Sequence, residues 1–167
     1  MQLNNKNYFL LFYNPMPSHK EKKILPYTSK QMLELVLDVE KYPEFLPWCF
    51  AAKITKRIDE NHLNADLAIN FKSFFQKYSS DILVEKISET EFKINVRAVD
   101  GPFKKLINEW HFKDLSTDKK NSVEVEFFID FEFQSIILEK MIGAVFIKAT
   151  GKMINAFEKR AAELFKG

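Results

Sequence analysis

Residues 123–133 read VEVEFFIDFEF, and this stretch decides the fold class. Every odd-numbered position from Val123 to Phe133 is apolar, whereas four of the five even-numbered positions, all except Phe128, carry a carboxylate. A period of two with one apolar and one charged face is typical of an antiparallel strand in a sheet that is covered on a single side. The stretch therefore predicts a sheet with a second layer of structure against its apolar face.

The same alternation recurs on the N-terminal side of this strand, where turn residues separate successive stretches. These stretches cover residues 50–55, 63–71, 78–84, 92–98 and 106–112. Because the connections are short, successive strands are expected to pair as a meander. A further strand is expected at Lys20–Tyr27, which brings the sheet to about seven strands.

Helical patterns lie between the first two strands and after the last one. Thr28 and Gln31 fit a capping box that opens a first short helix, and Pro43 and Pro47 bracket a second. From Ser135 to Phe165 the apolar residues follow a helical period and form one broad stripe. A single helix of this length would extend roughly 46 Å at 1.5 Å per residue, enough to cross the sheet.

These elements predict an α+β fold, in which a curved antiparallel sheet of about seven strands wraps around one long C-terminal helix. Two short helices are expected between strands 1 and 2. Gly143 and Gly151 lie inside the expected long helix. Glycine there is compatible with a bend, with a close approach to the sheet, or with space for a ligand.

The composition indicates one globular domain. The chain has 167 residues with 46% apolar and 29% charged residues, and its 17 Phe suit a large core or an apolar pocket. The net charge of +2 is too small to indicate a DNA partner. We expect the domain to span residues 19–167, and residues 1–18 to be a disordered or non-native N-terminal extension, with translation from Met16 as one explanation.

The sequence holds few groups that suggest catalysis. None of the three histidines has a neighbour at metal-ligand spacing, and no glycine-rich phosphate loop or nucleophile elbow is present. The single thiol, Cys49, has no evident histidine partner, so a buried and inert cysteine is favoured. We therefore expect a binding protein rather than an enzyme, with no metal and no required cofactor.

Besides the two glycines of the closing helix, two features indicate that the core contains a ligand cavity. Asn108 falls in the apolar row of Leu106 and Trp110, where its amide would bond the backbone or a trapped water, or would orient a ligand. Residues 42–49 combine two prolines with three aromatic residues. This stiff corner would plug one end of the sheet, form an entrance lid, or act as a lip that touches a membrane.

Three blocks of the sequence resemble a known family. The segment Tyr42-Pro43-Glu44-Phe45-Leu46-Pro47-Trp48-Cys49 resembles the signature of the coenzyme Q-binding protein family, which includes the bacterial ribosome association toxin A proteins. Residues 100–103 with Leu106 and Trp110 resemble the second block of that family, and residues 133–135 with 156–161 resemble its closing helix. The resemblance covers about residues 19–165. It implies the helix-grip fold of the START-like superfamily, to which polyketide cyclases also belong.

The first function that the resemblance implies is binding of ubiquinone or a related isoprenoid lipid, as a lipid chaperone that supports respiratory electron transport. The protein would be cytoplasmic, with peripheral contact to the inner membrane. Pro47 and Trp48 would form the mouth of the cavity, and Asn108 would contact the head group. The residues expected to contact the ligand are Pro47, Trp48, Phe71, Val84, Val96, Asn108, Trp110, Phe131, Met141, Val145 and Phe146.

The alternative function that the resemblance implies is a ribosome association toxin, which would bind the large ribosomal subunit and block 70S formation. Such a role needs an exposed basic surface. The closing helix offers basic side chains at Lys140, Lys148, Lys152, Lys159, Arg160 and Lys166. Because both branches share the same motifs, the motifs alone do not choose between the two functions.

Overall fold

The computed structural model describes residues 18–71, 74–115 and 121–166. Seven antiparallel strands form one sheet in the order β1-β7-β6-β5-β4-β3-β2. The strands are β1 Ser18–Leu25, β2 Cys49–Asp59, β3 His62–Phe71, β4 Phe74–Ser88, β5 Glu91–Asp100, β6 Phe103–Asp114 and β7 Val123–Phe133. The helices are α1 Ser29–Leu37, a 3₁₀ helix Val39–Glu44, α2 Ile136–Thr150 and α3 Met153–Leu164. The predicted fold class is confirmed.

The alternation in β7 gives the sheet one buried, apolar face and one solvent-exposed, charged face. The odd-numbered residues of β7 are buried, and Val123 and Val125 have no exposed surface at all. On the opposite face, Glu124 pairs with Lys22 of β1 at 3.0 Å and Glu132 pairs with Lys104 of β6 at 2.7 Å. Exposed pairs of this kind contribute little stability, so burial of the apolar face holds the sheet to the helices.

The first helix begins where the sequence predicts. The Thr28 hydroxyl accepts a hydrogen bond from the Gln31 backbone N–H at 3.2 Å, and the Gln31 side-chain oxygen accepts one from the Thr28 N–H at 2.9 Å. This reciprocal capping box satisfies two of the backbone donors that a helix start leaves free. The 3₁₀ helix that follows α1 is the second short helix expected between strands 1 and 2.

The turn between β5 and β6 fixes the position of Tyr78 on β4. Gly101 in this turn has a φ of 118°, a conformation that side chains other than glycine rarely adopt. A Cβ atom at this position would lie 2.5 Å from the Tyr78 Cβ, which is closer than two carbon atoms can approach. Glycine therefore lets the turn pack directly against Tyr78.

The closing helix differs from the prediction in one respect. The predicted single helix over Ser135–Phe165 is interrupted at Gly151 and Lys152, which separate α2 from α3. Lys152 leaves the helical conformation with φ −105° and ψ 2°. The apolar stripe continues across the break, so the sequence pattern carries no mark of it except the low helix propensity of glycine.

The core lies between the concave face of the sheet and the helices. Phe157 of α3 is its centre, with ring centres of Tyr42, Phe45 and Trp110 within 5.4 Å. The predicted N-terminal extension, residues 1–18, lies outside the described residues except for Ser18, which already belongs to β1.

Candidate ligand-binding cavity

An internal cavity of about 90 Å³ lies between the sheet and the helices. Every helix and strand except β1 contributes at least one residue to its wall. The wall is mainly aliphatic and aromatic, and no lining residue carries a formal charge. An apolar enclosure with few polar groups is the usual character of a site for an uncharged organic ligand.

Five of the residues expected to contact a ligand line this cavity. They are Trp48, Val96, Asn108, Trp110 and Phe146. Trp110 is 3% exposed and its ring centre lies 5.0 Å from that of Phe157, so it forms part of the packed wall. The structure thus brings together residues from four separate segments of the chain. That they bind a ligand stays a prediction.

Five other expected residues lie outside the wall. Phe71 and Phe131 pack behind it, with ring centres 5.8 and 4.4 Å from that of Phe146. Val84 and Val145 are partly buried but do not reach the cavity. Pro47 is exposed beside Trp48, so only the second of these two neighbours meets the interior.

The expectation that Met141 lines the cavity is wrong. Its side chain is 61% exposed on the outer face of α2. Residues of α2 are apolar almost all the way round, as the exposed Ile136, Ile137 and Ile147 show. A helical period therefore selects no single buried face in this segment, and only packing decides that Ile142 and Phe146 point inward.

Several polar side chains of the wall already have hydrogen-bond partners. The Tyr42 hydroxyl donates to the Val36 carbonyl at 2.5 Å, and the Thr150 hydroxyl donates to the Ile147 carbonyl at 2.8 Å. The Asn108 amide nitrogen donates to the Phe128 carbonyl at 2.9 Å. The backbone bond, one of the alternatives for Asn108, is therefore present in the structure.

Cys49 is buried in the wall and poorly suited to nucleophilic chemistry. It is 3% exposed, and its thiol donates to the Ala51 carbonyl at 3.5 Å. Burial raises the pKa of this thiol to about 11, so the reactive thiolate is scarce at neutral pH. Among the described residues, no group of three or more His, Cys, Asp or Glu side chains is placed to hold a metal ion.

Among the polar wall residues that sequence reasoning missed are Tyr78 and Ser80 on β4. Both lie in the apolar row of the strand that continues to Ile82. The signal that singled out Asn108, a polar residue in an apolar row, would also have found Ser80. Tyr78 carries a large apolar ring and looks like an ordinary core residue in the sequence.

Comparison with known proteins agrees with this architecture. The model of the family described as "Polyketide cyclase / dehydrase and lipid transport" matches residues 25–158. The ribosome association toxin RatA of Rickettsia prowazekii is 42% identical, over 90% of this chain and all of that protein. The mitochondrial coenzyme Q-binding protein COQ10 homolog B of Xenopus laevis is 29% identical, over 88% of this chain and 59% of that protein.

A solved structure shows the same fold at low identity. The ZhuI aromatase/cyclase of Streptomyces sp. R1128 superimposes with a TM-score of 0.70 over 87% of this chain and 93% of that chain, at 14% identity. The names of the two sequence relatives describe a ribosome-associating toxin and a quinone-binding protein rather than enzymes. The resemblance seen in the three sequence blocks is confirmed, and the chain belongs to the polyketide cyclase / dehydrase and lipid transport family.

Proposed function

We propose that this protein binds a neutral isoprenoid lipid such as ubiquinone in its cavity and acts as a lipid chaperone rather than an enzyme. The observation that carries the proposal is a largely apolar cavity with no charged residue in its wall. Each methylene group that leaves water for such a site contributes about 0.8 kcal/mol. The coenzyme Q-binding relative supports the same ligand class.

The cavity must enlarge before such a lipid can enter. Its volume of about 90 Å³ is well below the roughly 300–1,000 Å³ of common ligand sites. Helix α2 is the element best placed to move, because it covers the cavity with Phe146 and Ala149. Among the described residues, no ion pair or side-chain hydrogen bond ties α2 to the sheet, and apolar contacts such as those of Phe146 hold it there.

Peripheral contact with a membrane would follow through the outer face of α2. Ile136, Ile137 and Met141 are each more than 60% exposed there, and the same face carries Lys140 and Lys148. A helix face that combines apolar and basic side chains suits the interface of an anionic bilayer. No helix in the described part of the chain is long and apolar enough to cross a membrane.

The test is to purify the protein from a quinone-producing host and to analyse the extracted lipids by mass spectrometry. Co-purifying quinone is expected. A second measurement adds a short-chain quinone to lipid-free protein and follows the fluorescence of Trp48 and Trp110, which both border the cavity. No quinone in the extract together with no quenching of this fluorescence would contradict the proposal.

Association with the ribosome is the second candidate function, because a basic surface is present on the closing helices. Lys140, Lys148, Lys152 and Lys159 are exposed, and within the described ranges none of them pairs with a carboxylate. Arg160 is not part of this surface, since it pairs with Glu44 and lies over the Phe45 ring. The name of the Rickettsia relative supports this candidate.

Two variants separate the candidates. Lys148→Glu combined with Lys152→Glu reverses the basic surface, and should weaken ribosome association in a gradient profile but leave quinone binding intact. Ala149→Leu fills the cavity from α2, and should weaken quinone binding but leave the basic surface unchanged. Undiminished 70S formation at excess wild-type protein would end the ribosome candidate.

A further inference from the structure

Two hydroxyl groups of the cavity wall have no hydrogen-bond partner among the described residues. Tyr78 and Ser80 occupy alternate positions of β4, so both side chains face the cavity. Ser80 is 1% exposed and its hydroxyl oxygen is unpaired. Because a buried polar group without a partner costs free energy, such a group in a native protein needs a reason for its presence.

The other hydroxyl groups of the same wall differ in this respect. Tyr42 and Thr150 both donate to backbone carbonyls, so their protons are already committed. Tyr78 is partly buried and lines the cavity, and among the described residues its hydroxyl has no hydrogen-bond partner. Among the hydroxyl groups that the structure describes in the wall, the two without a partner therefore both lie on the inner face of β4.

The surroundings of Tyr78 hold its ring in place and keep its hydroxyl protonated. The ring meets Phe103 edge-on with ring centres 5.3 Å apart, and the Gly101 turn packs against its Cβ atom. Burial raises the pKa of the Tyr78 hydroxyl well above its ordinary value, with a smaller contribution from Cys49. A rigid phenol that retains its proton is a hydrogen-bond donor throughout the physiological pH range.

The wall also restricts the chemistry of the ligand. A carboxylate or phosphate inside the cavity would be a buried charge with no charged partner in the lining, which is strongly unfavourable. Free fatty acids and phospholipid head groups are therefore disfavoured as ligands of this cavity. A ketone or quinone oxygen, by contrast, is uncharged and accepts hydrogen bonds from hydroxyl groups.

We infer that Tyr78 and Ser80 donate hydrogen bonds to a carbonyl oxygen on the head of a neutral, otherwise apolar ligand. The inference rests on the proposed lipid-binding function and adds the residues and the functional group that set its specificity. It also gives the unpaired Ser80 hydroxyl a role, because a bound carbonyl would satisfy it.

The test compares two probes with the same tail and a six-membered ring of similar size, a short-chain alkyl benzoquinone, which has carbonyl groups, and an alkyl benzene, which has none. Affinity is measured from the fluorescence of Trp48 and Trp110. Tyr78→Phe and Ser80→Ala each remove one hydroxyl and keep the rest of the side chain. Each is expected to weaken benzoquinone binding by about 5- to 10-fold, and to leave alkyl benzene binding equal or tighter.

Matched control variants lie outside the cavity. Ser79→Ala removes the neighbouring hydroxyl of β4, which points to the opposite face and donates to Asp66 at 2.6 Å. Tyr27→Phe removes the hydroxyl of Tyr27, which lies between β1 and α1 and contacts Phe165 just after the end of α3. Both controls should bind the two probes as the wild-type protein does.

Stability measurements separate a loss of binding from a loss of folding. Ser80→Ala should melt at the same temperature as the wild-type protein or higher, because it removes an unpaired buried group. Wild-type protein that binds both probes, with Tyr78→Phe and Ser80→Ala affecting neither or both equally, would overturn this inference alone. Wild-type protein that binds neither probe would overturn the proposed function and this inference with it.

Discussion

Helices α2 and α3 continue one apolar stripe of the sequence, but they are attached to the sheet in different ways. Helix α3 is amphipathic, with Phe157 at the core and ion pairs from Glu158 to Lys23 and from Arg160 to Glu44. Helix α2 is apolar on nearly every side and exposes large residues such as Ile137 and Met141. Its inward face packs through Phe146, whose ring lies within 5.8 Å of four other phenylalanine rings.

The difference indicates that the two helices have different roles. Polar contacts have a strict geometry and oppose sliding, whereas apolar contacts are non-directional and can be exchanged for others. Helix α3 is thus suited to hold the fold together, and α2 is suited to move, to open the cavity and to meet a membrane. Gly151 and Lys152 allow the two helices to behave separately.

The largest expected effect tests whether the packing of α3 holds the fold together. Phe157→Ala should destabilise the protein by about 3–5 kcal/mol, because it empties a fully buried aromatic site that contacts three other rings. Met141→Ala on the outer face of α2 should change the free energy of unfolding by less than about 0.5 kcal/mol. Urea unfolding measures both values, and similar losses for the two variants would remove the contrast.

The reactivity of Cys49 tests how tightly α2 closes the cavity. With the thiol pKa raised from 9.0 to about 11, the thiolate fraction at pH 8 is about 100-fold lower than in the unfolded chain. Alkylation by iodoacetamide should therefore be at least that much slower than in urea. The rate should also keep rising as the pH approaches 11 instead of levelling near 9.

The sign of the linked stability change follows from the same shift. A thiol whose pKa is raised by folding holds its proton more tightly in the folded state, so the folded state loses stability as the pH rises from 9.0 towards 11. Cys49→Ala should make this decline shallower. An alkylation rate that levels off near pH 9 would show that the thiol is open to water and that α2 does not close the cavity.

Membrane binding sharpens the contrast between the outer faces of the two helices. Ile137→Glu combined with Met141→Glu should weaken binding to vesicles of anionic phospholipid by about tenfold or more, because it removes exposed apolar area and adds negative charge. Leu164→Glu on α3, where the side chain is 50% exposed, should have little effect, and each single substitution on α2 is compared with it. Vesicle flotation gives both results, and equal losses would argue against a specific role for α2.

The smallest effect concerns the break between the helices. Gly151 has φ −65°, and a Cβ atom there would lie 3.6 Å from the Ile147 carbonyl oxygen, an ordinary contact. Gly151→Ala should therefore stabilise the protein by about 0.5–1 kcal/mol and slow Cys49 alkylation, because it favours one continuous helix. Gly101→Ala is the opposite case and should destabilise, since its φ is 118°. Faster alkylation in Gly151→Ala would contradict the role of the break.

Local pattern was sufficient to predict most of the architecture. The alternation in residues 123–133 predicts both the strand and the face that it buries, because successive side chains of a strand point to opposite sides. The capping box at Thr28 and Gln31 likewise predicts the start of α1, since its two hydrogen bonds join residues three apart. The family blocks add the ligand class as an expectation. Asn108 and Trp110, two of the expected ligand contacts, line the cavity, and their contact with a ligand stays a prediction.

Packing across distant segments decided the rest. The sequence does not determine the inward face of α2, because a helix that is apolar on nearly all sides has no preferred face until it meets the sheet. The expectation that Met141 faces the cavity is wrong for this reason. The existence of the cavity, its volume and the unpaired hydroxyl of Ser80 depend on how six strands and four helices come together. The separation between the sheet and the helices is set by contacts between residues far apart in the sequence, and a local period in the sequence does not reveal such contacts.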